Sequence, residues 1–179
     1  MRKVLFLFGQ LNDDDVEWMI NTGRRQPVAR GEVLIRQGVP VDTLFILLEG
    51  RLSVLLGRQE REIARLNAGE IVGEMSFVDA RPPSATVRGL EDAIVFAISK
   101  AVLQSKLDRD TGFAARFYRA LAVYLSTTVR ERHRMIGVGG DVSLDEAQDD
   151  VDELDPNVLD GVYLAGERFD RMVKRVLAA

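Results

Sequence analysis

The sequence predicts a mainly-β domain of sandwich or barrel type with helices at both ends. Three observations carry that expectation. From residue 27 to about residue 98, short runs rich in Val, Leu, Ile and Phe are punctuated by Gly31, Gly38, Gly50, Gly57, Gly69 and Gly73. This is the texture of short strands joined by turns. Ahead of that stretch Asn12 precedes three aspartates, a capping side chain followed by acids where the helix macrodipole favours them. Behind it the apolar period becomes helical, with Phe113, Phe117, Leu121, Tyr124 and Thr128 on one face and Ala114, Tyr118, Leu125 and Val129 on a neighbouring one.

Taken in order, the apolar run from Val4 to Phe8 is too short for a signal peptide, is followed by Gln10 and Asp13 to Asp15, and has no small-residue cleavage site. Nothing approaches the roughly 20 apolar residues of a membrane span. A helix begins at Asn12, carries Val16, Met19 and Ile20 on one side and ends near Gly23. Leu44 to Leu48 is almost wholly apolar, and Glu49-Gly50 ahead of Arg51 to Leu56 predicts a tight turn between two antiparallel strands. Ile63 to Leu66 and Ala93 to Ile98 are further strands, and Ser99 is placed to cap a short helix.

The long helix from about Thr111 to Met135 ends on Arg130, Arg132 and Arg134, as a helix C-terminus prefers. With two apolar faces it can pack on its own barrel and on a partner. Gly137, Gly139 and Gly140 then break it, and residues 141–155 hold eight acids and no base, the composition of a linker. Asp155-Pro156 is a helix start, and Val158, Val162, Ala165, Phe169, Met172 or Val173, and Val176 form an amphipathic stripe that closes on Lys174 and Arg175. The chain thus divides into a domain over 1–135, an acidic linker over 136–155 and a terminal helix over 156–179. That helix docks on the barrel or on another protein.

Composition narrows the chemistry. The 179 residues suffice for one domain with appendages, and at 46% hydrophobic and 29% charged they can bury a sizeable core. Net charge is −4, and residues 136–179 carry four bases against eleven acids, a balance that repels nucleic-acid phosphate and anionic lipid. Neither DNA nor a membrane is an expected partner. There is no cysteine, hence no disulfide and no thiolate chemistry, which fits a reducing compartment and places the expected location in the cytoplasm. His133 is the only histidine; a cupin-type metal barrel needs several, and Ser-His-Asp catalysis would have to use this residue on a basic helix end. Its simpler role is to complement the helix dipole. With no paired-carboxylate motif either, an enzyme is not expected.

The informative segment runs from Val72 to Val87. Gly73, Glu74 and Ser76 place a glycine, an acid and a hydroxyl at a helix start, and Ser84-Ala85-Thr86 returns the chain to a strand. Backbone N–H groups freed at such a start make an anion site. The same arrangement serves any helical turn between strands, so the segment alone leaves both readings open.

A longer pattern surrounds it: Gly31-Glu32 with Gly38 seven residues on, Phe45-Ile46-Leu47-Leu48-Glu49-Gly50, Gly73-Glu74-Met75-Ser76-Phe77, and Ser84-Ala85-Thr86. In this order the pieces resemble the cyclic nucleotide-binding domain family, to which catabolite activator proteins and protein kinase A regulatory subunits belong, over roughly residues 8 to 135. The resemblance implies a β jelly roll (double-stranded β-helix) with flanking and C-terminal helices, a phosphate-binding cassette between two strands, and cyclic AMP or cyclic GMP as the ligand class, with no other cofactor. Carried over, Gly73, Met75 and Ser76 offer N–H groups near phosphate or ribose, and Glu74 accepts from the ribose 2′-hydroxyl. Ser84, Ala85 and Thr86 contact phosphate or base. The long helix becomes a dimerisation or lid helix, which implies a homodimer joined through Phe113, Phe117, Leu121 and Tyr124.

One departure stands out. Where ligand-binding members carry an arginine just before this Ser-Ala-Thr, Pro83 stands here, nine residues after Glu74. Proline has neither charge nor N–H, and Pro82 removes a second donor. Arg81 either folds back to replace the missing cation or is a solvated loop residue. Two functions follow: a non-catalytic regulatory or interaction module with a degenerate or retuned pocket, or a working sensor that uses Arg81. The 44 residues after Met135 carry a charge of −7 and one convincing helix, which does not fit a helix-turn-helix reader. The expectation is a stand-alone module.

Overall fold

The computed structural model describes residues 4–137 and 156–178. Its strands are β1 (Arg24–Val28), β2 (Val33–Ile35), β3 (Thr43–Glu49), β4 (Arg51–Leu56), β5 (Arg61–Asn67), β6 (Ile71–Val72), β7 (Thr86–Gly89) and β8 (Ala93–Ser99). They form two antiparallel sheets ordered β1-β8-β3-β6 and β2-β7-β4-β5. The helices are α1 (Val4–Gln10), α2 (Asp13–Thr22), α3 (Glu74–Val78), α4 (Lys100–Arg109), α5 (Thr111–Gly137) and α6 (Pro156–Ala178). The expected jelly roll with helices at both ends is the fold observed.

The unbroken apolar run of β3 has a simple cause: both of its faces are covered. Phe45 and Leu47 point between the sheets with Leu52, Val87, Val95 and Ala97. Leu44, Ile46 and Leu48 point the other way, with Phe96 and Ile98 of β8, into a second core shared with the helices. By contrast β5 is an edge strand, exposed at all but one position.

All six punctuating glycines take positive φ. Gly50 corrects the expected hairpin, because β3 and β4 lie in different sheets. With φ of +81°, Gly50 turns the chain from one sheet to the other, and a Cβ there would sit 2.4 Å from the Asp92 carbonyl oxygen. A local turn signal says that the chain reverses; it does not say which sheet the next strand joins. The true hairpin is β4–β5, paired from Arg51 opposite Asn67 to Leu56 opposite Arg61 with one register shift between Val54 and Leu55.

In α2 the predicted cap is a reciprocal box. Asp15 N donates to Asn12 Oδ1 at 2.8 Å, and Asn12 N donates to Asp15 Oδ2 at 2.9 Å. Val16, Met19 and Ile20 are buried as predicted. The N-terminal apolar run is α1, with Val4, Leu7 and Phe8 fully buried. Ser99 precedes α4 as its cap residue but makes no side-chain capping bond.

The face of α5 assigned to a dimer partner is corrected by burial. Phe113 and Phe117 are 0% exposed, Leu121 2% and Tyr124 3%, all inside the chain's own core. Tyr124 Oη donates to the Ile71 carbonyl at 3.2 Å. The stripe of α6 is also consumed internally: Ala165, Phe169, Met172 and Val176 are buried with α1, and the Phe8 and Phe169 rings lie 6.2 Å apart. Over these four residues the stripe is therefore not a free surface for another protein. The side chains of Val158, Val162 and His133, and the acidic segment 138–155, lie outside the described residues.

Candidate functional site

The segment singled out in the sequence crosses from one sheet to the other. It leaves β6, whose Val72 stands opposite Phe45, and enters β7 at Thr86, opposite Leu55 of β4. Gly73 makes the turn with φ of +90°, and a Cβ there would lie 2.7 Å from the Thr43 carbonyl oxygen. Two constraints, conformation and space, therefore exclude other residues. Next comes α3, a single turn anchored by Phe77, whose half-buried ring meets Phe117 edge-on at 5.8 Å. Glu74 and Ser76 are half-buried, whereas Met75 is 51% exposed.

After α3, Ala80 takes φ of +56°, a left-handed conformation that costs an L-residue about 1–2 kcal/mol. Pro82 and Pro83 then fix the path back. The Pro83 carbonyl accepts from Gly38 N at 2.9 Å, and Thr86 Oγ1 accepts from Gln37 N at 3.1 Å. Gln37 Oε1 in turn accepts from Gly57 N at 3.0 Å. Thus the turn after β2 fastens the far end of the segment and ties it to the β4–β5 turn. Of the predicted site residues, Thr86 is buried, Ala85 half-buried and Ser84 exposed. The hydroxyl of Thr86 is engaged by the Gln37 N–H.

Arg81 does not fold back. Its side chain is 84% exposed and its Nε lies 3.8 Å from Asp79 Oδ2, while its backbone N–H donates to Asp79 Oδ1 at 3.0 Å. The cation that does sit by the segment is Lys100, which sequence reasoning missed. Its Nζ is buried and makes no hydrogen bond. Burial pushes its pKa down, and the carboxylates of Asp42, Glu74 and Asp79 pull it partly back. Its backbone N–H donates to the Asp42 carbonyl at 2.8 Å, which fixes the start of α4 against the start of β3. No pattern in the sequence links Lys100 to Glu74, because only the packing of α3 beside the β8–α4 junction brings them together.

Among the described residues no group of three histidine, cysteine or carboxylate side chains could hold a metal ion. Within the same residues no helix is long and apolar enough to cross a membrane.

Residues 25–110 match the cyclic nucleotide-binding domain family. These residues belong to that family. The chain is 28% identical over 137 residues to a cAMP-dependent protein kinase regulatory subunit of Blastocladiella emersonii, a match that covers 73% of this chain and 34% of the relative. The chain thus spans about a third of that relative's length. A cyclic nucleotide-binding domain from Methylobacillus flagellatus superposes with a TM-score of 0.69 at 22% identity, covering 79% of this chain and 85% of the other. The N-terminal domain of a transcriptional regulator from Streptomyces coelicolor superposes with a TM-score of 0.60 at 29% identity, covering 70% and 94%. Within the matched residues, the Gly73–Thr86 excursion runs through the Pro82-Pro83 pair before it enters β7.

Proposed function

We propose that the chain is a non-catalytic regulatory module whose cassette does not hold a cyclic phosphate through an arginine. The carrying observation is Pro83, fastened through its carbonyl to Gly38 with no charge to offer, while the nearest arginine in sequence, Arg81, extends into solvent beside Asp79. Losing one charge-assisted hydrogen bond to phosphate costs about 1.5–3 kcal/mol, roughly 10- to 200-fold in affinity. Glu74 is retained at the ribose position and shares its surroundings with Lys100, so the cassette keeps a polar acceptor without an arginine to match it. Use of Arg81 as a replacement would require its guanidinium to leave Asp79 and cross back over two prolines. A cytoplasmic setting fits the absence of cysteine.

The test is a pair of variants. Pro83→Arg is expected to strengthen binding of cyclic AMP or cyclic GMP by about 10- to 200-fold, measured by calorimetry. Arg81→Ala is expected to leave affinity unchanged. Loss of binding in Arg81→Ala, or no gain in a folded Pro83→Arg, contradicts the reading.

A homodimer remains part of the proposal, on a different face of α5. Ala115, Tyr118, Ala122, Leu125 and Val129 follow a 3-4-3-4 spacing; Tyr118 is 46% and Val129 50% exposed, and this seam suits a second copy of the same helix. Sedimentation equilibrium is expected to show twice the 20.0 kDa chain mass, reverting to monomer in Tyr118→Asp. A 20.0 kDa species at every concentration contradicts it.

A further inference from the structure

The docking of α6 has a rim built from charge. Arg168, Arg171 and Arg175 stand on successive turns and reach the corner between α1 and α2. Arg168 Nε and Arg171 Nη2 both donate to Asp13 Oδ1, at 2.9 and 2.8 Å. Arg175 Nη1 donates to Glu17 Oε2 at 2.6 Å, and its Nη2 donates to Asn21 Oδ1 at 3.0 Å. Arg168 Nη1 also donates to the carbonyls of Phe8 and Leu11, at 2.9 and 2.8 Å. It thereby serves the end of α1, where a helix leaves carbonyls without internal partners. Beneath this ladder lie the apolar anchors Ala165, Phe169, Met172 and Val176.

The receiving face therefore has its own specificity. It offers an apolar trough, two carboxylates and a set of helix-end carbonyls, and it selects arginines at i, i+3 and i+7 beside apolar residues at i+1, i+4 and i+8. The polar half is open to solvent: Asp13 is 64% exposed, Arg171 43% and Arg175 45%. A cleft of about 310 Å³ lined by Asp13, Leu164, Glu167, Arg168 and Arg171 runs along it. Pairs so exposed hold weakly and are screened by salt.

We propose that the α1–α2 face is a docking groove for a basic amphipathic helix, that α6 fills it as an internal ligand, and that a partner protein displaces α6 by presenting a helix of the same arginine and apolar pattern. Charge complementarity and the fit of α6 itself define that partner. The groove is closed to it whenever α6 is docked, so the apparent affinity of the partner helix is reduced by the fraction of molecules in which the groove is free.

The test uses the full chain and a fluorescent synthetic peptide with the sequence of residues 156–178. It is titrated into the unaltered protein and into Arg171→Glu/Arg175→Glu, whose reversed charges loosen the internal helix at exposed positions. The variant is expected to bind the peptide at least about tenfold more tightly than the unaltered protein, and 1 M salt is expected to weaken that binding. Equal affinities, or no binding to the variant, overturn the proposal. A variant that dimerises by exchanging α6 between copies assigns the groove to a second copy and overturns the partner assignment. Should the variant not fold, hydrogen exchange on the unaltered protein decides. Amides of residues 165–176 are expected to exchange faster in 1 M than in 0.15 M salt while those of β3 do not change; identical behaviour of the two segments overturns the proposal.

Discussion

The barrel interior and the helical layer bury apolar side chains by different means. Between the sheets, Phe45, Leu47, Leu52, Val87 and Val95 pack with no ionisable side chain in their cluster. On the other side of β3 the helices bury an apolar core of their own, yet its rim is closed by Asp15–Arg116, Asp13–Arg168 and Glu17–Arg175. The buried cluster between the sheets holds no ionisable side chain for pH or salt to act on; the ion pairs of the barrel, such as Arg51–Glu91 and Arg88–Glu60, lie on its outer surface. The rim of the helical layer does hold such groups, so its attachment can be adjusted without dismantling the scaffold that holds the cassette.

The largest effect should come from the barrel. Leu47→Ala removes a fully buried side chain and is expected to cost about 2–5 kcal/mol, read as a lower urea midpoint. Because β3 carries both cores, secondary structure and the fluorescence of Trp18 in α2 should be lost together; a variant whose helices persist after the barrel melts would break the comparison. Asp15→Asn should cost less. The Asp15 carboxylate, 4% exposed, takes Arg116 Nε at 2.6 Å and Nη2 at 2.8 Å. Asparagine keeps the shape and loses the charge, for about 1–3 kcal/mol, and the 35% exposure of Arg116 draws the figure to the lower end.

Acid should act most selectively. Hydrogen bonds from Arg168 and Arg171 hold the Asp13 carboxyl below its ordinary value, and those from Arg175 and Asn21 do the same for Glu17. A depressed carboxylate contributes stability that is present above its unfolded-state pKa and lost as pH falls through the folded one. On acidification below about pH 4, α6 is therefore expected to lose amide protection before β3 and β8 do, as read by hydrogen exchange. Simultaneous loss in both layers would show that the ladder contributes nothing separate.

How far the sequence discloses this division depends on the kind of signal. Alternation, glycine spacing and capping are local, and they correctly placed α2, β3, β8 and the Gly73 turn. The same local signals mistook Gly50 for a hairpin tip, because sheet membership is decided by partners far along the chain. Helical periodicity found two apolar faces on α5 but not which one lies inward: Phe113 and Phe117 face the chain's own core, leaving Tyr118 and Val129 outside. Pro83 was legible at once as a missing charge. Lys100 was not, since its nearness to Glu74 arises only when α3 packs beside the β8–α4 junction.

We propose that the Gly73–Thr86 segment keeps the glycine turn and the glutamate of a cyclic nucleotide site without the arginine that meets a cyclic phosphate. Calorimetric titration of the unaltered protein with cyclic AMP and then cyclic GMP, at concentrations that detect dissociation constants near about 100 μM, or about −5.5 kcal/mol, tests it most directly. The account predicts no heat of binding from either nucleotide within that range. Saturable binding well below 100 μM, on the order of the affinities that an intact charge pair supports, would contradict it.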